Sequence, residues 1–207
     1  MFWFYPDTSQ SVIGPLRSSL IYDLPIFLAY LAIIPGMAVF LVRIETDFVE
    51  YYEKFYDAVR EGGSLDHIET LRDNMLFTIR LGLFEIVKIQ AIAILVVFVL
   101  GENLLNWLGI SQLYLPLLYV AVVAAGLQVV LLGILNVFFY LDKRHIVVLL
   151  CLIFLTANIA LTALSFYLGA NYYGYGFALS LLMTVLVGMQ LLIRKIDLLE
   201  YETFMLQ

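Results

Sequence analysis

A charged segment enclosed between apolar runs is the feature of this sequence that most constrains its fold. Residues 43–80 carry about half of the charged side chains of a chain that has 11 basic and 17 acidic residues. Apolar runs flank the segment, at 24–42 before it and 81–100 after it. A helix of about 20 apolar residues crosses the hydrocarbon of a bilayer, whereas so many charges stay in water. The pattern predicts that residues 43–80 lie at a membrane surface between two spans.

Composition extends this interpretation to the whole chain. The 207 residues are 63% hydrophobic and 14% charged, whereas a soluble domain is roughly half apolar and a quarter charged. We therefore expect an all-α fold, a polytopic transmembrane bundle of about five spans with a cytoplasmic amphipathic helical insert. The net charge of −6 provides no basic surface for nucleic acid, so nucleic acid is not an expected partner.

The alternation of apolar and polar segments divides the chain into four parts. We expect a periplasmic N-terminal segment at residues 1–23, a membrane span at 24–42 and a cytoplasmic helical insert at 43–80. Residues 81–207 then hold four further spans and a short cytoplasmic tail.

The distribution of basic residues predicts the orientation of these spans. Lys and Arg occur in the insert, in the turn at 142–145 and after the last span, whereas Arg17 is the one basic residue in the segments on the opposite side. Because cytoplasmic loops are enriched in Lys and Arg, the insert and the C-terminus are predicted to be cytoplasmic. The N-terminus is then outside, without a signal peptide to place it there. We therefore expect the chain to be the C-terminal part of a longer protein.

Local signals predict the helix boundaries near the insert. Pro35 lies within the first apolar run and predicts a kink. Asp47, followed by Glu50, resembles a capping box and predicts that a helix begins there. Gly62 predicts the end of that helix, and Ser64 is positioned to cap the next one, which is expected to continue into the second span.

Polar residues within apolar spans are costly and therefore candidates for a substrate pathway. Glu85 and Lys88 are three residues apart, and we expect them to pair. Gln128 and Asn136 are eight apart, on nearly the same helix face, and are suited to sugar hydroxyls or to hydrogen bonds between helices. Asn158 is a further candidate for either role, and Gln90 is open to the same two interpretations.

An aromatic stripe at helical spacing is the candidate surface for a partner in the insert. Its residues are Phe48, Tyr51, Tyr52 and Phe55. The stripe is suited to docking a cytoplasmic partner, but the same pattern is also typical of a helix that lies on the membrane surface or packs on its own neighbours.

The sequence contains no grouping of residues typical of catalysis or metal binding. Cys151 is the single cysteine, and His67 and His145 are far apart, so no metal-ligand spacing occurs. No nucleophile–His–acid grouping and no phosphate-binding Gly-Lys-Ser/Thr loop is present. We expect neither an enzyme nor a cofactor or metal.

Four stretches carry a resemblance to a known family. They are the charged insert, RIETDFVEYYEKFYDAVREGGSLDHIETLRDNM, the overlapping PLRSSLIYDLPIFLAYLAIIPGMAVFLVRIETDFVEYY around the first span, NYYGYGFA before the last one, and the closing LLEYETFM. The sequence resembles, over essentially its whole length, the C-terminal half of the PelG family, the inner-membrane exporters of Pel exopolysaccharide, which are similar to MATE and Wzx-like flippases.

The resemblance implies transport of Pel-type exopolysaccharide across the bacterial inner (cytoplasmic) membrane. It also implies a cytosolic glycosyltransferase, PelF, and the membrane proteins PelD and PelE as partners in the lipid bilayer. It transfers no individual site residue. An alternative is a membrane scaffold that transports nothing and recruits the cytosolic glycosyltransferase through the insert.

Overall fold

The computed structural model describes residues 1–197, which form a bundle of long helices with a short β-hairpin near the N-terminus. Four helices are long and apolar enough to cross a membrane, and a bent helix pair makes a fifth candidate span. The predicted all-α bundle of about five spans is thus confirmed. The predicted tail after residue 197 lies outside the described residues.

The N-terminal segment packs onto one end of the bundle. Strands β1 (Gln10–Ile13) and β2 (Leu16–Ser18) form an antiparallel hairpin. Before the hairpin, the buried ring of Phe2 stacks on Tyr22, with 4.2 Å between ring centroids, and meets Tyr173 edge-on. These contacts attach the first residues to the helical bundle.

The first span consists of two helices with a break between them. Helix α1 (Leu20–Leu31) and helix α2 (Ile34–Val42) are separated by two residues, and the axis bends by 42° there. Pro35 is near the start of α2, where its missing N–H and its ring prevent the helix from continuing from the preceding turn. The kink predicted from Pro35 is confirmed.

The insert is continuous with this span, which corrects the helix start predicted at Asp47. A π-helical turn, Arg43–Phe48, joins α2 directly to α3 (Val49–Arg60). Asp47 does not cap a helix, because it lies inside this continuous helical segment. Its carboxylate accepts a hydrogen bond from Arg43 instead. Ile44 and Phe48 are fully buried, so continuing the helix places two large apolar side chains in the core.

The other helix boundaries predicted within the insert are confirmed. After α3 the chain turns at Gly62, whose φ of 72° suits glycine. The hydroxyl of Ser64 then accepts a hydrogen bond from the backbone N–H of His67, at 3.4 Å. Helix α4 (Leu65–Trp107) runs without interruption through the rest of the insert and the second span. Its 43 residues give a length of about 65 Å, roughly twice the hydrocarbon thickness of a bilayer.

The remaining helices form the bundle around one central member. They are α5 (Leu115–Tyr140), α6 (Arg144–Leu168) and α7 (Tyr175–Asp197). Helix α5 contacts α1, α2, α4, α6 and α7. In its most apolar stretch 61% of the residues are buried, against 17% in α4 and 22% in α6. Helix α5 is therefore the core of the bundle, and α4 and α6 present apolar faces outward.

In the structure, two residues of the aromatic stripe are buried and the other two are half-buried. Phe48 and Phe55 are completely buried in the main hydrophobic core, so neither is available for docking a partner, which corrects that part of the prediction. Tyr51 and Tyr52 are half-buried and still present part of their surface outward. The stripe packs on its own neighbours because α3 folds back against α4.

We expect the buried and the outward-facing side chains of α3 to differ in their contribution to the free energy of unfolding. Phe55→Ala should lower the free energy of unfolding by about 3–5 kcal/mol, because it leaves a cavity in the core. Glu53→Ala, whose side chain is exposed on the outer side of the same helix, is the matched control and should change the free energy of unfolding by less than about 0.5 kcal/mol. Thermal unfolding of the purified chain in detergent would measure both values. Equal losses in the two variants would contradict the packing of α3.

Candidate functional site

The break in the first span is held by a polar side chain from a neighbouring helix. Gln90 of α4 is 2% exposed. Its Nε2 donates a hydrogen bond to the backbone carbonyl of Ala32, at 3.1 Å, between α1 and α2. A carbonyl that lacks its helical partner is costly to bury in hydrocarbon. The amide of Gln90 therefore stabilises the break by occupying that carbonyl.

Two glycines make room for this side chain. A Cβ atom at Gly36 would overlap Oε1 of Gln90, and one at Gly126 of α5 would lie 2.8 Å from its Cγ. Oε1 of Gln90 is buried, and no hydrogen bond satisfies it within the described part of the chain. Gln90 thus fills the space between α2 and α5. Its Nε2 is hydrogen-bonded, and its Oε1 has no hydrogen-bond partner among the described residues.

The two sides of the break belong to different hydrophobic clusters. Ala29 of α1 is buried with residues of α4 and of the first half of α5, including Leu105 and Leu118. Phe40 of α2 is buried in the larger cluster, with Ile134 among its members. Helices α4 and α5 contribute to both clusters. The break therefore lies where the first span passes from one cluster to the other, which is a position at which a span can bend.

A charged cluster follows directly after α2. Arg43 donates from Nε to Glu85 Oε2 at 2.5 Å and from Nη2 to Glu85 Oε1 at 3.2 Å. Its Nη1 donates to Asp47 at 2.7 Å. The side chain of Glu85 is 21% exposed, so this bidentate pair is partly shielded from solvent and ties the first span to α4.

The same π-helical turn also contacts α5. Glu45 accepts a hydrogen bond from Asn136 Nδ2, and a second one from the hydroxyl of Tyr140 at 3.0 Å. Both donors are neutral side chains. The π turn widens the helix, and Arg43 and Glu45 extend from it to different neighbouring helices.

The structure thus brings two of the predicted pathway residues, Glu85 and Asn136, to one π-helical turn. The expected pairing of Glu85 with Lys88 is wrong, since Glu85 binds Arg43 instead. Lys88 is exposed, and its Nζ lies 5.9 Å from the ring centroid of Phe84.

The other two pathway candidates do not join this cluster. Gln128 is exposed on α5 and accepts a 2.7 Å hydrogen bond from the hydroxyl of Tyr30 on α1, beside an apolar groove of about 360 Å³. Asn158 accepts a 3.0 Å hydrogen bond from Thr162 within α6. Gln128 therefore joins two helices, and a role of these residues in a substrate pathway stays a prediction.

Two residues of this site, Arg43 and Glu45, were not assigned a role from the sequence, and Gln90 was left open between a substrate pathway and a hydrogen bond between helices. The signals were present, because two charges directly follow an apolar run and an amide interrupts the second one. The sequence did not show that the packing of the helices places Gln90 against the break. Among residues 1–197, no group of three or more His, Cys, Asp or Glu side chains is arranged to hold a metal ion.

Comparison with protein families gives one match that spans nearly the whole chain. The family model described as "PelG: Putative exopolysaccharide Exporter (EPS-E)" matches residues 1–204. Comparisons with curated proteins and with solved structures gave no match.

The contact between Gly36 and Gln90 predicts that substitutions at the two positions depend on each other. Gly36→Ala alone should lower the free energy of unfolding by about 1–2 kcal/mol, because its Cβ displaces the amide that bonds Ala32. With Gln90→Ala present, the nearest other atom to that Cβ is a Val129 methyl at 3.5 Å, an ordinary contact. Gly36→Ala should then be neutral or stabilising, since alanine favours the helix.

A double-mutant cycle followed by thermal unfolding in detergent would measure this coupling. We expect a coupling energy above about 0.5 kcal/mol, in the range of residues in contact. If Gly36→Ala costs the same in both backgrounds, Gln90 does not occupy the space beside the break.

Proposed function

The chain belongs to the PelG family and has a role in exopolysaccharide export, and from this premise we propose that it moves Pel-type polysaccharide across the bacterial cytoplasmic membrane within a synthesis and export complex. Its candidate spans agree with a multi-pass membrane protein. The family is one of exporters rather than of enzymes, which agrees with a chain that moves its substrate without altering it.

The observation that carries this proposal is the hinged first span. Transporters often use discontinuous helices, whose break lets two packed units change their relative position around a substrate. Here Nε2 of Gln90 donates a hydrogen bond to the Ala32 carbonyl at the break, and Oε1 of the same amide has no hydrogen-bond partner among the described residues. That hydrogen bond holds the break in this conformation, and a movement of α1 relative to α2 must give the Ala32 carbonyl another partner.

The π-helical turn connects this hinge to the insert. Helix α2 continues through Arg43–Phe48 into α3. The pair of Arg43 with Glu85 and the hydrogen bonds to Glu45 hold the turn against α4 and α5. In this mechanism α2, the turn and the insert stay together against α4 and α5, and α1 changes its angle relative to them.

We place the insert in the cytosol, where it faces the synthesis machinery. The positive-inside rule supports this orientation. Tyr51, Tyr52 and the acidic side chains of α3, among them Glu50 and Glu53, are at least partly exposed. We propose this face as the docking surface for the glycosyltransferase PelF, with PelD and PelE as further partners in the membrane.

A second candidate function is a scaffold that recruits the glycosyltransferase and transports nothing. The observation that favours it is the exposed face of α3, since export alone does not need such a surface. The two functions depend on different residues. Export needs the contacts between helices, whereas recruitment needs the outer face of the insert.

Cysteine labelling would test the proposed orientation. Ser64 and Ser111 are exposed, and they lie just before the start and just beyond the end of α4. In a Cys151→Ser background, which removes the single cysteine, a membrane-impermeant maleimide applied to intact cells with a permeable outer membrane should label Ser111→Cys and leave Ser64→Cys unlabelled. The reverse pattern would overturn the orientation and the proposed docking surface.

Paired variants should distinguish transport from scaffolding in cells that make the polymer. Gln128→Leu with Asn136→Leu removes two hydrogen bonds between helices, and we expect export to fall roughly five-fold or more while the glycosyltransferase stays at the membrane. Tyr51→Ala with Tyr52→Ala is the matched double variant on the insert. Export that survives the first pair, together with loss of the glycosyltransferase from the membrane in the second, would favour the scaffold.

A further inference from the structure

Exposed aromatic side chains lie at the end of the bundle opposite the insert. Trp107 is the last residue of α4, Tyr167 is the last but one of α6, and Tyr175 is the first of α7. All three side chains are exposed. Trp and Tyr are enriched at membrane–water interfaces, where an amphipathic ring lies at the level of the headgroups. These rings therefore mark the level at which the spans leave the bilayer at this end.

The N-terminal segment lies at the same end of the bundle. A cleft of about 850 Å³ is lined there by Tyr5 of that segment, Leu113 just before α5 and Tyr173 between α6 and α7. The ring of Tyr5 stacks on Phe166 of α6, with 4.3 Å between centroids. Contacts within the chain therefore hold the segment beside the ends of α6 and α7.

The β-hairpin leads directly into the first span. Ser19 alone separates β2 from α1. One oxygen of the Asp23 carboxylate in α1 accepts a hydrogen bond from the backbone N–H of Ser19, and the other accepts one from Nε1 of Trp3, each at 3.0 Å. The hairpin therefore leaves the bundle at the level at which α1 enters the bilayer.

The tip of the hairpin is apolar. Ile13 and Leu16 are paired across the turn, so their side chains lie on the same face, and they are 74% and 65% exposed. Val12, at the irregularity beside them, is also exposed. A two-stranded hairpin is at best marginally stable in water. The tip would therefore be stabilised by an apolar environment that covers these three side chains.

We propose that the hairpin lies along the membrane surface beside α1, with Val12, Ile13 and Leu16 embedded in the headgroup layer. That layer is roughly 5–8 Å thick on each side of the hydrocarbon. Strand β1 has four residues, a length of about 13 Å, so an upright hairpin would hold its tip in water. A hairpin that lies flat places the tip at the level of the aromatic rings, where lipid covers apolar side chains.

Charge and strand length favour lipid over other occupants of the tip. The charged side chains of residues 1–19 are Asp7 and Arg17, one of each sign, so the contact needs no anionic headgroup. Strands of four and three residues are too short to pair extensively with a strand of another chain. Leu20 and Phe27 of α1 are exposed, so the first span presents apolar side chains to lipid immediately after the hairpin.

This anchor goes beyond the proposed function, because it depends on the chain crossing a membrane and not on what the chain transports. It would fix the outer end of α1 at the bilayer surface in an exporter and in a scaffold alike. The placement of the hairpin and the proposed export can therefore fail separately.

Spin-label accessibility in liposomes of neutral phosphatidylcholine would test this placement on the full chain. In a Cys151→Ser background, a nitroxide at Ile13→Cys reports collisions with oxygen, which concentrates in lipid, and with a water-soluble nickel chelate. The matched control is Glu53→Cys, at an exposed position of the insert. We expect the ratio of oxygen to nickel accessibility to be roughly three-fold or more higher at Ile13→Cys, because interfacial apolar side chains lie below the headgroup surface.

A second pair of variants tests whether the apolar side chains hold the tip in place. Val12→Asp with Leu16→Asp should bring the ratio at Ile13→Cys down to that of Glu53→Cys, since charges avoid the hydrocarbon boundary. Val12→Leu with Leu16→Ile keeps the tip apolar and should leave the ratio unchanged. Circular dichroism would show that each variant keeps its helices.

Three results would overturn the proposal. Equal ratios at Ile13→Cys and Glu53→Cys would place the tip in water. Shielding of Ile13→Cys from both reagents would place a protein surface over it, either a second copy or another chain. A high ratio that appears only with phosphatidylglycerol present, or that survives the two aspartates, would show that the apolar side chains do not hold the tip in the membrane.

Discussion

The hydrogen bond from Gln90 to the carbonyl of Ala32 is the interaction on which the arrangement of this protein depends. A proline near the start of α2 breaks the first span, and in hydrocarbon a freed backbone group needs a partner from the protein. Gln90 is that partner because Gly36 and Gly126 leave space for its side chain. The break is thereby stabilised at a defined position, where the first span passes from one hydrophobic cluster to the other.

The second organising element is the π-helical turn, which joins a membrane helix to the insert without a gap. Arg43 and Glu45 extend from this turn to α4 and α5. A wider helical turn is often found where function needs side chains in unusual directions. Because α2, the turn and α3 are continuous, the second half of the first span and the start of the insert form one helical unit. The cleft at the other end involves α5, α6, α7 and the N-terminal segment, so the two ends of the bundle present different chemistry.

Much of the fold could be predicted because it follows from local rules. The apolar runs predict the spans, Pro35 predicts the kink, and Ser64 predicts the start of α4. The candidate site was predicted less well. Glu85 and Asn136 were identified as polar residues in spans, but their partners Arg43 and Glu45 are 42 and 91 residues away in sequence. Spacing along one helix suggested Lys88 as the partner of Glu85, and no local rule reveals the more distant arginine.

The sequence by itself determined that this chain crosses a membrane several times with a charged helical insert after the first span, because hydrophobicity and turn residues act over short distances. Only the tertiary structure decided which side of each helix is buried. It placed Phe48 and Phe55 inside and left Tyr51 partly outside, and it set Gln90 against the broken span. Those outcomes depend on how α3, α4 and α5 pack together, and contacts between residues far apart in the chain leave no periodic signal along it.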